Sequence, residues 1–196
     1  MNLANKLTVF RVILVIIMMI FSLLTIKIEF YGIGLTAIIL DVIFIIASFT
    51  DTLDGYIARS RNQITTFGKF LDPIADKILV ITAMVILVQF QKLPAWIPAI
   101  VIMREFVVSG YRLVAVEKNG QVIAASIWGK VKTVSQMIAI AVAFIDIYSF
   151  GAIFTENITG IHFFINLITT VFMLISVIAT VISGYDYIKD WKKVLD

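Results

Sequence analysis

DTLDGYIARSRNQITTFGKFLDPIADK, residues Asp51–Lys77, is the stretch that decides the fold. It gathers four aspartates, Asp51, Asp54, Asp72 and Asp76, between long apolar runs that carry almost no charge. Asp51 and Asp54 are three positions apart and Asp72 and Asp76 four apart, so on helices each pair shares one face. The connector around Ser60–Phe67 is short, as a link between antiparallel neighbours should be. The two carboxylate pairs are therefore expected to face each other across a narrow cleft.

The surroundings set the class. Of 196 residues, 61% are hydrophobic, and the mean hydropathy is +1.03. Soluble domains hold roughly 45–50% apolar residues, so this composition belongs to an all-α integral membrane protein. There is no cysteine, which excludes disulfides and thiol chemistry, and the single histidine, His162, makes a zinc site improbable. A spanning helix takes about 20 mostly apolar residues. Six such segments are legible: Leu7–Ile26, Ile33–Ala58, Phe70–Phe90, Ala95–Val116, Ile123–Ile147 and His162–Ile182. The first lacks the small-residue cleavage site of a signal peptide. Connections are short, so residues 1–196 read as a single membrane domain.

Orientation follows from Lys and Arg. Lys6, Arg11, Arg59, Arg61, Lys69, Lys118, Lys130, Lys132, Lys189, Lys192 and Lys193 fall at one set of helix ends. The opposite ends offer Lys27 and Lys92, and Ser149–Gly160 contains Glu156 and no base. Both termini are thus expected in the cytoplasm, with the aspartate cleft on the cytoplasmic side. The net charge of +3 reflects this asymmetry and an attraction to anionic headgroups. No extended basic surface lies outside the apolar segments, which excludes nucleic acid as a partner.

Four ionised carboxylates held close in a low-dielectric site repel, so they hold either protons or cations. All-oxygen donors suit hard ions such as Mg²⁺, Mn²⁺ or Ca²⁺. A lone aspartate here would be a helix cap, and Asp72, followed by Pro73, is placed to be one. Four at this spacing, beside Gly55, Ala58, Arg59, Gly68 and Lys69, ask for more than caps. Gly55 and Ala58 leave little bulk near Asp54, which lets a ligand approach the backbone. Arg59 offers a planar fork for phosphate oxygens. Metal and arginine together suggest a substrate carrying a diphosphate.

These positions spell D-x2-D-G-x2-A-R-x8-G-x3-D-x3-D, from Asp51 to Asp76. The pattern resembles the signature of the CDP-alcohol phosphotransferase family. Further on, MREFVVSGYRL (Met103–Leu113) and AASIWGKVKT (Ala124–Thr133) look like the family's bacterial phosphatidylglycerophosphate synthases, as does the opening NKLTVFR (Asn5–Arg11). One departure is Ala4, where the family often has proline. The resemblance implies six helices, a homodimer in the bacterial cytoplasmic membrane, and a metal-dependent site holding two Mg²⁺ or Mn²⁺ ions. It implies that CDP-diacylglycerol and glycerol 3-phosphate give phosphatidylglycerophosphate and CMP.

The resemblance also lends roles. Asp51, Asp54, Asp72 and Asp76 would ligate metal, and Asp76 would act as general base. Gly55, Ala58, Arg59, Thr65 and Gly68 would bind CDP-diacylglycerol, with Asn5 and Thr8 framing that pocket. The acceptor is a small dianion and needs a basic pocket. Arg104 and Arg112, eight positions apart on the fourth segment, and Lys130 at the start of the fifth are its candidates. An arginine within an apolar run is functional by default, and the adjacent Glu105 is placed to partner it or a residue on another helix. Asp41 and Asp146 lie towards the other side and carry no assigned role. Two other readings stand beside this one. Another CDP-alcohol phosphotransferase, making cardiolipin, phosphatidylinositol phosphate or phosphatidylserine, would share the metal site and differ in the acceptor pocket. An ion or proton transporter would need ionisable groups spread through the bilayer depth, whereas here they cluster at one end.

Overall fold

The computed structural model describes residues 3–24, 26–60, 66–119 and 127–189, with side chains over 5–24, 26–50, 74–111, 127–187 and 189. Six long helices dominate: α1 (Leu3–Ser22), α2 (Leu35–Ser60), α3 (Thr66–Gln89), α4 (Trp96–Asn119), α5 (Ile127–Ile145) and α6 (Ile161–Lys189). At 1.5 Å per residue they run about 29–44 Å, enough to match an apolar layer of about 30 Å. By length and composition, three segments among the described residues qualify as spans: Asn5–Ser22, Ile127–Ile145 and Ile161–Tyr187. Leu35–Thr50 is a shorter apolar stretch. Helices α3 and α4 carry ionisable residues inside their length, Asp72, Asp76 and Lys77 on one and Arg104 and Glu105 on the other.

The sequence-based boundaries need adjustment. Helix α1 begins at Leu3 rather than Leu7 and stops at Ser22 rather than Ile26. Its end is closed by short-range bonds, Leu23 N to Ile20 O at 3.2 Å and Leu24 N to Phe21 O at 3.1 Å. Thr36 then ties the connection down, accepting from Ile26 N and donating to Leu24 O. An unforeseen hairpin precedes α2: β1 (Glu29–Phe30) pairs antiparallel with β2 (Ile33–Gly34). Its two-residue turn places Tyr31 at φ 52° and Gly32 at φ 80°, the left-handed pair that a tight hairpin requires. Helix α6 runs on to Lys189, seven residues past Ile182, because its last two turns are amphipathic rather than apolar.

Helix α1 packs on α2 and α3, α5 on α6 and α2, and α4 on α6. The core is filled by Met18, Leu40, Phe44, Leu79, Met84, Leu87, Ile97, Ile140, Phe144 and Met173, all nearly or fully buried. Outward faces remain apolar: Ile16, Ile20, Phe106, Val134, Phe164 and Ile178 are each more than half exposed. So much bare hydrocarbon on a monomer fits lipid as its solvent.

The end of the bundle opposite the aspartates is closed by polar bonds. Asn166 on α6 donates to Asp146 Oδ2 at 2.8 Å and to Ser149 O at 2.9 Å, and accepts from Ile153 N at 3.1 Å. Lys92, between α3 and α4, donates to Phe144 O at 2.7 Å, and its own carbonyl accepts from Phe150 N. Burial holds the Lys92 ammonium down to about 8, against the pull of Asp146 and Asp41. Burial likewise pushes the Asp146 carboxyl up, against its bonds from Tyr148 N and Asn166. Asp41 and Asp146, which lack an assigned role in the sequence reading, are buried here.

Candidate active site

The acidic motif straddles two neighbouring helices. Asp51 and Asp54 lie in the last three turns of α2, and Asp72 and Asp76 in the first three of α3. Helix α1 packs against both. Asp51, Asp54, Gly55, Ala58, Arg59, Gly68, Asp72 and Arg112 are on described helices, but their side chains lie outside the described residues. Thr65 lies outside them altogether. Asp76 is half-buried.

On α1, Asn5 and Thr8 are buried, and so is Arg11, with no exposed surface. The three sit at i, i+3 and i+6, one face of the helix. In the sequence Arg11 counts only towards the positive helix ends. The polar positions recurring every three residues at the head of an apolar helix were the available signal for its burial.

The basic residues converge on one carboxylate. Glu105 Oε1 on α4 accepts from Lys132 Nζ of α5 at 2.6 Å and from Arg104 Nη1 at 2.9 Å. Lys77 Nζ of α3 lies 3.8 Å from Glu105 Oε2. That ammonium donates to Ser109 Oγ, whose hydroxyl donates to Glu105 O at 2.6 Å. Arg104 Nη2 donates to Ser183 Oγ on α6, and the guanidinium carbon lies 6.0 Å from the Tyr187 ring centre. Gly184 gives the arginine stem room, since a Cβ there would touch Arg104 Cγ at 3.4 Å. Tyr187 in turn meets Tyr111 edge-on, with ring centres 5.8 Å apart. Three cations thus meet at one carboxylate.

Asp76 borders this cluster: it lines one small cavity with Lys77, Glu105 and Lys132. The structure thus brings Asp76 beside Glu105, and Arg104 joins through Glu105 without lining the cavity. Lys130 is exposed, while Lys132 is 8% exposed and inside the cluster. Two positions on a helix are about 200° apart, so the two lysines cannot share a face. Glu105, Lys77 and Lys132 were not assigned by the sequence reading. Glu105 was read there as a partner for Arg104 or for a residue on another helix, and it pairs with both.

Helices that pair apolar outer faces with a cluster of charged groups mark a membrane-associated helical protein. The comparisons narrow the class. Residues 1–182 match the CDP-alcohol phosphatidyltransferase family, and the chain belongs to it. It is 40% identical over 197 residues to the CDP-diacylglycerol–glycerol-3-phosphate 3-phosphatidyltransferase of Bacillus subtilis (strain 168), covering 97% of this chain and 96% of that protein. The Haemophilus influenzae protein of the same name is 43% identical over 143 residues, 71% of this chain and 73% of its own. A probable phosphatidylglycerophosphate synthase of Mycobacterium tuberculosis is 33% identical over 190 residues, 95% of this chain and 80% of its own.

The buried pair gives a stability prediction. Lys132→Met removes the closest partner of Glu105 and should lower stability by about 2 kcal/mol, read as a drop in thermal midpoint in detergent. Lys130→Met, on the exposed face, should change it by no more than about 0.5 kcal/mol. Equal midpoints for the two variants would contradict the pairing described.

Proposed function

We propose that this chain transfers the phosphatidyl group of CDP-diacylglycerol to glycerol 3-phosphate, releasing CMP, in phospholipid synthesis. The observation that carries this reading is the cavity that Asp76 shares with Lys77, Glu105 and Lys132, with Arg104 bound to Glu105 beside it: a carboxylate base next to a basic cluster. That is what an alcohol bearing a phosphate dianion needs. The names of the relatives support the same pair of substrates.

The donor chemistry of the acidic motif fits a hard divalent cation. The four groups are carboxylates, spaced by one helical turn on adjoining helices, and the chain has no cysteine and one histidine. Asp51, Asp54, Asp72 and Asp76 would hold two Mg²⁺ or Mn²⁺ ions. Such ions neutralise diphosphate charge and stabilise the departing CMP. Arg59, Thr65, Gly55, Ala58 and Gly68 would bind the CDP part, with Asn5 and Thr8 framing the pocket from α1. Arg104 and Lys132, with Arg112 as a further basic group, would hold the acceptor's phosphate, while Lys130 lies on the other face of α5. Asp76 takes the proton from the acceptor hydroxyl. The freed oxygen forms a bond to the phosphatidyl phosphorus as the bond from that phosphorus to the CMP oxygen breaks, and CMP carries off the electron pair.

In this reading all six helices cross the bacterial cytoplasmic membrane, both termini and the active-site cleft face the cytoplasm, and the working assembly is a homodimer. Support comes from the lysine and arginine asymmetry and the exposed apolar faces. A cysteine placed within Ser149–Gly160 should label from outside intact cells, and one at Asn62 should not; the reverse pattern would refute the orientation. Light scattering on the solubilised protein should give two chains of 22.0 kDa, and one chain would refute the dimer.

The reaction is tested on purified protein with CDP-diacylglycerol and a panel of alcohols, with CMP release as the readout. Glycerol 3-phosphate should be the preferred acceptor, and chelator should abolish turnover until Mg²⁺ or Mn²⁺ is restored. Preference for inositol phosphate, serine or phosphatidylglycerol would assign the chain to another branch of the family. Full turnover in excess chelator would exclude the metal.

Asp76→Asn separates base from ligand. It should lower kcat by about two to four powers of ten while the KM for CDP-diacylglycerol changes little. Asp54→Asn should instead weaken metal binding and regain activity as Mg²⁺ rises. If added metal alone returned Asp76→Asn to near wild-type turnover, Asp76 would be a ligand and not the base.

A further inference from the structure

We infer that Glu105 is a positioning residue for the acceptor: its carboxylate holds Lys77, Arg104 and Lys132 converged, so that a phosphate dianion enters a basic site already assembled. The inference rests on the reading of the chain as an enzyme acting on a phosphate-bearing alcohol, and goes beyond it by assigning a negatively charged group to a site for an anion.

The three cations come from α3, α4 and α5. Three like charges on three helices repel, and lysine stems are long and rotamer-rich. The carboxylate opposes both effects. It takes Arg104 and Lys132 on Oε1, at 2.9 and 2.6 Å, and keeps Lys77 within 3.8 Å of Oε2. Each cation keeps capacity for a ligand. An ammonium has three donors, and Lys77 spends one on Ser109. Arg104 Nε is buried and makes no hydrogen bond among the described residues. Glu105 is itself anchored, since the Ser109 hydroxyl that receives Lys77 donates to the Glu105 carbonyl.

The charge balance gives the site its selectivity. The three cations outnumber Glu105 and the adjacent Asp76, so the layer keeps a net positive charge for a phosphate monoester, which carries nearly two negative charges at neutral pH. An acceptor must compete with a carboxylate for the same donors. A dianion can share them, whereas a neutral alcohol cannot draw them away. Glu105 therefore favours a phosphorylated acceptor without touching it, through the spacing of the groups that do.

The test is steady-state kinetics of the purified full chain, varying glycerol 3-phosphate and CDP-diacylglycerol separately. Glu105→Gln keeps shape and loses charge. It should raise the KM for glycerol 3-phosphate about tenfold or more and leave the KM for CDP-diacylglycerol within about twofold. Glu105→Asp, which keeps the charge on a stem shorter by one carbon, should recover most of the loss. An unchanged acceptor KM in folded Glu105→Gln would overturn the inference, as would equal rises for both substrates. Should Glu105→Gln fail to fold, Glu105→Asp carries the test, with a rise of about threefold expected for the acceptor alone. If neither variant folds, Glu105 belongs to the fold and the inference falls. Failure of the underlying reading looks different: the wild-type protein would release no CMP with glycerol 3-phosphate, and the inference would fall with it.

Discussion

Inside an apolar bundle an ion stays charged only if an opposite charge or a bound ligand stays with it, and the arrangement of this protein follows from that constraint. Glu105 and Lys132 meet at 2.6 Å between α4 and α5, which pack mainly on other helices. Arg104 and Lys77 complete the group, and Ser183 and Tyr187 extend it to α6. The contact thus fixes four helices relative to one another at the level where α3 carries Asp76. Dispersion between side chains is tolerant of small slips, whereas a shared carboxylate is not. The same interaction that makes charge bearable in this layer also sets the register of the helices that build the site.

The opposite end solves the problem differently. There Asp146 is answered by neutral donors, the Asn166 amide and the Tyr148 N–H, and Lys92 by the Phe144 carbonyl. These bonds run between connections and helix ends rather than between ions. They close the two turns that a lipid-exposed loop could not leave unsatisfied. One end of the molecule is thus a clamp of neutral hydrogen bonds, and the other keeps a surplus of positive charge beside a group of carboxylates.

Much of this was legible in the sequence because its signals are periodic and local. Apolar runs placed the six helices within a few residues, and the fixed spacing of Asp51, Asp54, Asp72 and Asp76 put the acidic motif on α2 and α3. The hairpin at Glu29–Gly34 was not legible, since two residues per strand give no periodicity to read. Arg11 and Lys132 were read by the charge they add to a helix end, although both are buried. Whether a cation at a helix end points to water or to a partner depends on the neighbouring helix, which no window along one chain contains. Lys130 and Lys132 make the point: the same residue type, two positions apart, with one exposed and the other 2.6 Å from Glu105. Glu105 itself was legible as a partner for Arg104 or for another helix, but not which one. Its meaning comes from Lys77 and Lys132, which lie 28 and 27 residues away.

Helix α3 joins the two halves of the site. Asp76 and Lys77 are consecutive, about 100° apart around the helix axis, so one turn presents an acid and a base to different directions. In the proposed reaction this fixes the geometry of attack with very little machinery. An acceptor held by its phosphate at the Glu105 cluster reaches the carboxylate that takes its proton across a distance set by one rigid turn. A phosphate group and a hydroxyl on a three-carbon backbone are separated by a similarly short span. A longer acceptor held by the same cations would carry its hydroxyl past Asp76, and an acceptor without phosphate would not be held there. Selectivity for the acceptor and placement of the base are then the same structural fact, and both depend on the turn of α3 that holds Asp76 beside Lys77.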